Sequence, residues 1–142
     1  MEILVAASYL HDLGRHHIDD KAHGVLSSEL AKPILEHIDF PKEKIISTLH
    51  AIRVHDVTFQ RQDRNSIESQ ILFDADKLDS FGIIGVVRNI LVIYRKKSID
   101  YILEDLDSKW RGLSLDETRE YARKDYNYVK NFFVLLKQEL TL

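Results

Sequence analysis

Five glycines and two prolines are all the conformational punctuation this chain of 142 residues carries. Between them the apolar residues recur at helical spacing, and nowhere do apolar and polar residues alternate for long enough to make a strand. A chain with so few breakers is expected to be all-α, built of long helices joined by short polar segments. Ile3, Leu4, Ala7 and Leu10 give a first helix that runs into His11 and Asp12 and ends near Gly14. A polar loop follows from Arg15 to Gly24. Ser27 or Ser28 is expected to cap a second helix, "SELAKPILEHI", which Pro33 would kink. Pro41 suits the first turn of a third helix ending at His55. Asn65 with Glu68 reads as a capping box before "SIESQILFDADKLDSF". The long apolar stretch from Gly82 to Leu106 is expected to break near Lys96 to Ser98, and "RKK", Arg95 to Lys97, reads as a solvated face. Ser114 with Glu117 reads as the capping box of a last helix. On that helix Tyr121, Tyr128 and Phe132 share one face, expected to be core. Trp110, Tyr126 and Phe133 are read with them as C-terminal packing.

The chain is long enough to bury a real core as a single domain spanning residues 1–142. A formal charge of −3 gives no general attraction to nucleic acid or to acidic membranes. There is no cysteine, hence no disulfide framework and no thiolate chemistry. The apolar start "MEILVAAS" is too short for a membrane span and no cationic region precedes it. A cytoplasmic location is therefore expected, with no DNA and no membrane among the partners.

Chemistry concentrates in two places. "YLHDLGRHH" packs His11, Asp12, His16 and His17 against the end of an apolar helix, where polar groups are costly unless bonded, paired or bound to a metal. "ILFDADKLDSFG" interrupts a strongly helical pattern with Asp74, Asp76 and Asp79, although Asp disfavours helix interiors. Asp76 and Asp79 lie one turn apart, so they repel unless a cation stands between them, and Lys77 or a metal could be that cation. His23 lies in the loop before the second helix. His55 extends the apolar face of the third helix while His50 falls on another side, and a histidine in a core is more often simply hydrogen-bonded. Mixed imidazole and carboxylate donors suit Mn, Fe, Co, Ni or Zn.

"YLHDLGRHH", the pair His23 and Gly24, "AIRVH" and "DADKLDSFGIIG" together resemble the HD-domain superfamily of metal-dependent phosphohydrolases, over roughly Ala6 to Arg88. The dipeptide alone is a weak signal; followed at this interval by "DADKLD" and "GIIG" it is a specific one. The resemblance implies an HD-domain-like bundle of five or more helices, with the motif region at about 6–88 and a helical extension at about 89–142. It implies hydrolysis of a phosphate ester or anhydride, often on a nucleotide, with a divalent metal ion (Mn, Fe, Co, Ni, Zn or Mg). His11 and Asp12 would be metal ligands and Asp76 the distal ligand, with His23, His50 and His55 available to hold metal as well. Asp79, or Asp19 or Asp20 of the loop, would orient the water. Arg15, Arg53 and Lys77 would bind phosphate. The superfamily pattern begins with a further histidine on an earlier helix, and none of the ten residues before His11 is histidine. A late start, replacement by His16, His17 or His23, and lost catalysis each account for this. Without that helix the face of Ile3, Leu4, Ala7 and Leu10 is expected to form an open apolar groove, covered by a second copy in a homodimer. The rival reading is a non-catalytic helical module that binds a nucleotide or a protein through a remnant site.

Overall fold

The computed structural model describes residues 1–16, 23–94 and 96–140. Expectations placed on His17, Asp19, Asp20 and Arg95 lie outside the described residues, as does the side chain of His16. Among the described residues there are seven α-helices and no strand, as the scarcity of breakers required. The helices are α1 (Glu2–Leu10), α2 (His23–His37), α3 (Lys42–Arg53), α4 (Ile67–Leu78), α5 (Gly82–Arg88), α6 (Ile99–Gly112) and α7 (Asp116–Leu140). No helix among them is long and apolar enough to cross a membrane. The helices fall into two compact units, Met1–Phe73 and Asp74–Leu142, the division lying inside α4.

In the first unit α1, α2 and α3 meet through Ala7, Ala31, Ala51 and Ile52, and Leu72 of α4 completes the cluster. Small side chains let the helix backbones approach closely. Leu4, Leu10, Leu13 and Leu49 pack around it. This corrects the expected apolar groove: Ala7 is fully buried, its helical neighbours Leu4 and Leu10 lie against the same core and Ile3 is half-buried, while the exposed apolar residues of α1 are Val5 and Tyr9.

Four helix starts differ from the sequence reading, each for a local reason. Helix α2 begins at His23, so Ser27 lies inside it and does not cap it; its hydroxyl accepts the Gly14 N–H at 2.9 Å. Pro33 stays exposed within α2, which continues to His37. Pro41 is the N-cap of α3, one residue ahead of the first turn. Helix α4 begins at Ile67, so the capping pair is Ser66 with Ser69, each hydroxyl accepting the other's N–H at 3.2 Å, in place of Asn65 with Glu68. Helix α7 begins at Asp116, which leaves Ser114 outside it. The N–H groups of Ser114 and Leu115 are taken instead by Asp74, whose Oδ1 and Oδ2 accept them at 2.7 and 2.9 Å.

The second unit is held by aromatic and aliphatic packing between α6 and α7. Trp110 stacks on Tyr126 with centroids 4.3 Å apart, and Phe81 meets both rings edge-on. Tyr126 Oη donates to Asp107 at 2.6 Å and Lys130 closes the network. The buried face of α7 is Ala122, Tyr126, Val129 and Phe133. Tyr121 (78 % exposed) and Tyr128 point outward and Phe132 is half-buried, so the core stripe is offset from the one read in the sequence. Both stripes have helical spacing; the apolar bodies of the tyrosines hid which one turns inward. The break before α6 falls where it was expected, with Ser98 as its N-cap accepting the Tyr101 N–H at 3.2 Å. Gly85 of α5 crosses the backbone of Ser80 so closely that a Cβ would stand 2.1 Å from the Ser80 carbonyl oxygen.

Candidate metal centre

Helix α1 ends where its apolar pattern ends, and His11 and Asp12 occupy the turn beyond Leu10. A 3-10 turn, Leu13–His16, then brings Gly14 down on the start of α2. A Cβ on Gly14 would lie 2.6 Å from the His23 carbonyl oxygen, so this close seat admits only glycine. It sets Asp12 beside His23, the first residue of α2. His55 stands two residues past the end of α3.

The four side chains converge. His23 Nε2 lies 3.0 Å from Asp12 Oδ1 and 3.0 Å from His55 Nε2. His55 Nε2 is 3.7 Å from Asp12 Oδ1, and His11 Nε2 is 3.6 Å from Asp12 Oδ2. The rings of His11 and His23 each meet the His55 ring edge to face. His23 and His55 are buried, while His11 and Asp12 are half-buried. One donor atom each from His11, Asp12 and His55 lie within 4.8 Å of one another, a group able to hold a metal ion.

The hydrogen bonds behind the rings decide which nitrogens are available. His55 Nδ1 lies 2.6 Å from the Ile52 carbonyl oxygen and His11 Nδ1 lies 2.8 Å from that of Ser8. A carbonyl can only accept, so Nδ1 carries a hydrogen in both rings, and in its neutral form each ring turns a bare Nε2 toward the cluster. Metal-ligating histidines are commonly oriented by such a bond to a carbonyl. Two nitrogens 3.0 Å apart can both reach one ion at about 2.0–2.1 Å. The donor set therefore fits a divalent transition ion. Burial pushes the Asp12 carboxyl up, but the hydrogen bonds from His23 and Arg15 outweigh it and hold the group well below the usual carboxylate range. Arg15 Nε donates to Asp12 Oδ1 at 2.7 Å.

The other candidates stand as follows. His50, on α3, has a buried Nε2 with no hydrogen-bond partner among the described residues. Arg53 is exposed at the end of α3. Asp76, Lys77 and Asp79 belong to the second unit: Asp76 and buried Lys77 form an ion pair, and Asp79 is exposed and bonded to Arg88 at 3.1 Å. Asp74, with both oxygens on backbone N–H groups, serves the fold. Sequence reasoning missed Asp56, a buried carboxylate directly after His55. The signal was present, because "HD" occurs twice in the chain, at His11–Asp12 and at His55–Asp56.

No curated protein and no solved structure matches this chain. A family model for the HD domain matches residues 1–80, an interval that holds His11, Asp12, His23, His55 and Asp76 and covers more than half of the chain. The chain belongs to the HD-domain family.

Proposed function

We propose that the chain is a metal-dependent phosphohydrolase acting on a nucleotide or another phosphate ester or anhydride. The observation that carries this reading is the convergence of His11, Asp12, His23 and His55, with two of the rings already oriented by backbone carbonyls. When bound there, a divalent ion supplies Lewis acidity to a phosphoryl oxygen and to the attacking water. Asp12, ionised across the physiological range, supplies the negative charge of the donor set. Asp76 is assigned as the distal donor from its place in "DADKLD". Arg15 holds Asp12 in position and, being exposed, is available to a phosphate oxygen. Arg53 and Lys77 are the further cations of this reading, and Asp79 is the acid assigned to orient the water.

The experiment is metal analysis of the purified protein, followed by a screen of nucleotides and a generic phosphomonoester with Mn, Co or Zn added. Metal uptake with hydrolysis is expected, and both should be lost in Asp12→Ala and in Asp76→Ala. An Asp76→Ala protein with full metal content and full turnover removes Asp76 from the site. An Asp12→Ala protein that behaves in that way overturns the functional reading.

A further inference from the structure

Asp56 is only 2 % exposed, yet its carboxylate bonds to Gly24 and Thr58 and to none of the four converging side chains. Its Oδ2 accepts the backbone N–H of Gly24 at 3.0 Å. Its Oδ1 accepts the Thr58 N–H at 2.9 Å and the Thr58 hydroxyl. The two residues joined by the first bond are the immediate successors of His55 and of His23. The Gly24 N–H belongs to the first turn of α2, where it has no partner within the helix and where the helix dipole favours an anion. The approach is tight on every side: a Cβ on Gly24 would stand 2.6 Å from the Arg53 carbonyl oxygen, 2.9 Å from Asp56 Oδ2 and 3.0 Å from the Ile52 carbonyl oxygen. That Ile52 oxygen is also the one that takes His55 Nδ1. The start of α2 is thus seated on the end of α3, and Asp56 is the charged side chain that ties the two ends together.

We propose that Asp56 is a positioning residue: its bond to Gly24 holds His23 Nε2 against His55 Nε2 before any ligand arrives, and so sets the affinity of the site for metal. The proposal rests on the metal-binding reading for its second half only; its first half concerns the seating of α2 on α3. A paired-ring arrangement fixed in advance spares the ion the cost of ordering two side chains.

The test compares wild type, Asp56→Ala and Asp56→Asn, all metal-free, by long-range proton–nitrogen spectra of the histidine rings, and then titrates each with Zn. Asn keeps an oxygen that can accept the Gly24 N–H, so it should keep the His23–His55 ring signals and bind Zn within about threefold of wild type. Asp56→Ala should lose the paired-ring signals and bind Zn at least about tenfold more weakly at a temperature where it is fully folded, a loss of about 1.4 kcal/mol or more. A folded Asp56→Ala protein with unchanged ring signals overturns the proposal. If Asp56→Ala does not fold, hydrogen exchange at the Gly24 amide of metal-free wild type decides: protection equal to that of mid-helix amides of α2 supports the tie, and free exchange until metal is added overturns it. Wild type that binds no Zn at all sinks the functional reading, while the metal-free spectra still judge Asp56.

Discussion

His23 Nε2 and His55 Nε2 stand 3.0 Å apart, too close for both nitrogens to carry a hydrogen. His55 has its hydrogen on Nδ1, bonded to Ile52, so the single hydrogen between the rings belongs to His23. An ion held by both nitrogens must displace it. Metal binding should therefore move the His23 hydrogen from Nε2 to Nδ1, the ring staying neutral, with no net proton released by this step. Affinity should fall as pH falls, because protons then compete for the same nitrogens. Long-range proton–nitrogen spectra recorded with and without Zn follow that hydrogen; a His23 ring that already carries it on Nδ1 before Zn is added would contradict this tautomer.

Asp12 gives a second pH signature. Its folded carboxyl lies below the ordinary range, so it contributes stability that is fully present above its unfolded value near about 4 and is lost as pH falls through the folded value. Thermal melts of the metal-free protein should show wild type losing its advantage over Asp12→Asn as pH drops below about 4. A difference that is constant from pH 7 to pH 3 would show that the hydrogen bonds from His23 and Arg15 do not favour the ionised form.

Gly24→Ala places a methyl group against the backbone of Arg53, which cannot step aside as a flexible side chain would. Destabilisation of about 1–3 kcal/mol is expected, as for other overpacked sites. Urea denaturation measures it, and the same variant should bind Zn more weakly, because α2 is lifted with His23 at its head.

Asp74→Ala leaves the N–H groups of Ser114 and Leu115 without their carboxylate. Bonds to a charged acceptor are worth about 1.5–3 kcal/mol each, so a loss of roughly 2–4 kcal/mol is expected after relaxation. Amide exchange should accelerate at Ser114 and Leu115 before it does in the middle of α7.

On α7 the two candidate stripes make opposite forecasts. Phe133→Ala removes a fully buried ring and should cost about 3–5 kcal/mol. Tyr121→Ala changes an exposed position and should stay within about 0.5 kcal/mol. Chemical denaturation of the two variants distinguishes the stripes directly.

The helices were legible because glycine and proline mark their own conformational limits and because helical spacing survives without knowledge of partners. The candidate site was legible as chemistry: His11, Asp12, His23 and His55 are residue types that are costly beside apolar neighbours unless engaged. Caps were less legible, since Asn65 and Ser66 are equally able acceptors and a one-residue shift of the helix start exchanges them. Asp74 was harder still: the N–H groups it accepts lie 40 and 41 positions along the chain, beyond any local pattern. Asp56 was hidden by its neighbour. In the first "HD" the acid faces the cluster, whereas in the second the histidine does and the acid turns back to the chain.

The division of the chain at Phe73 has a consequence for the order in which the protein is made. All four converging residues are encoded by position 55, inside a unit whose last residue is Phe73. Domains are generally assembled from the N-terminus as the chain emerges. The histidines and Asp12 can thus come together while α5, α6 and α7 are still being synthesised. Asp74 must wait for Leu115 before both of its oxygens are satisfied. Until then Asp74 lacks the two N–H donors that hold its carboxylate in the folded chain.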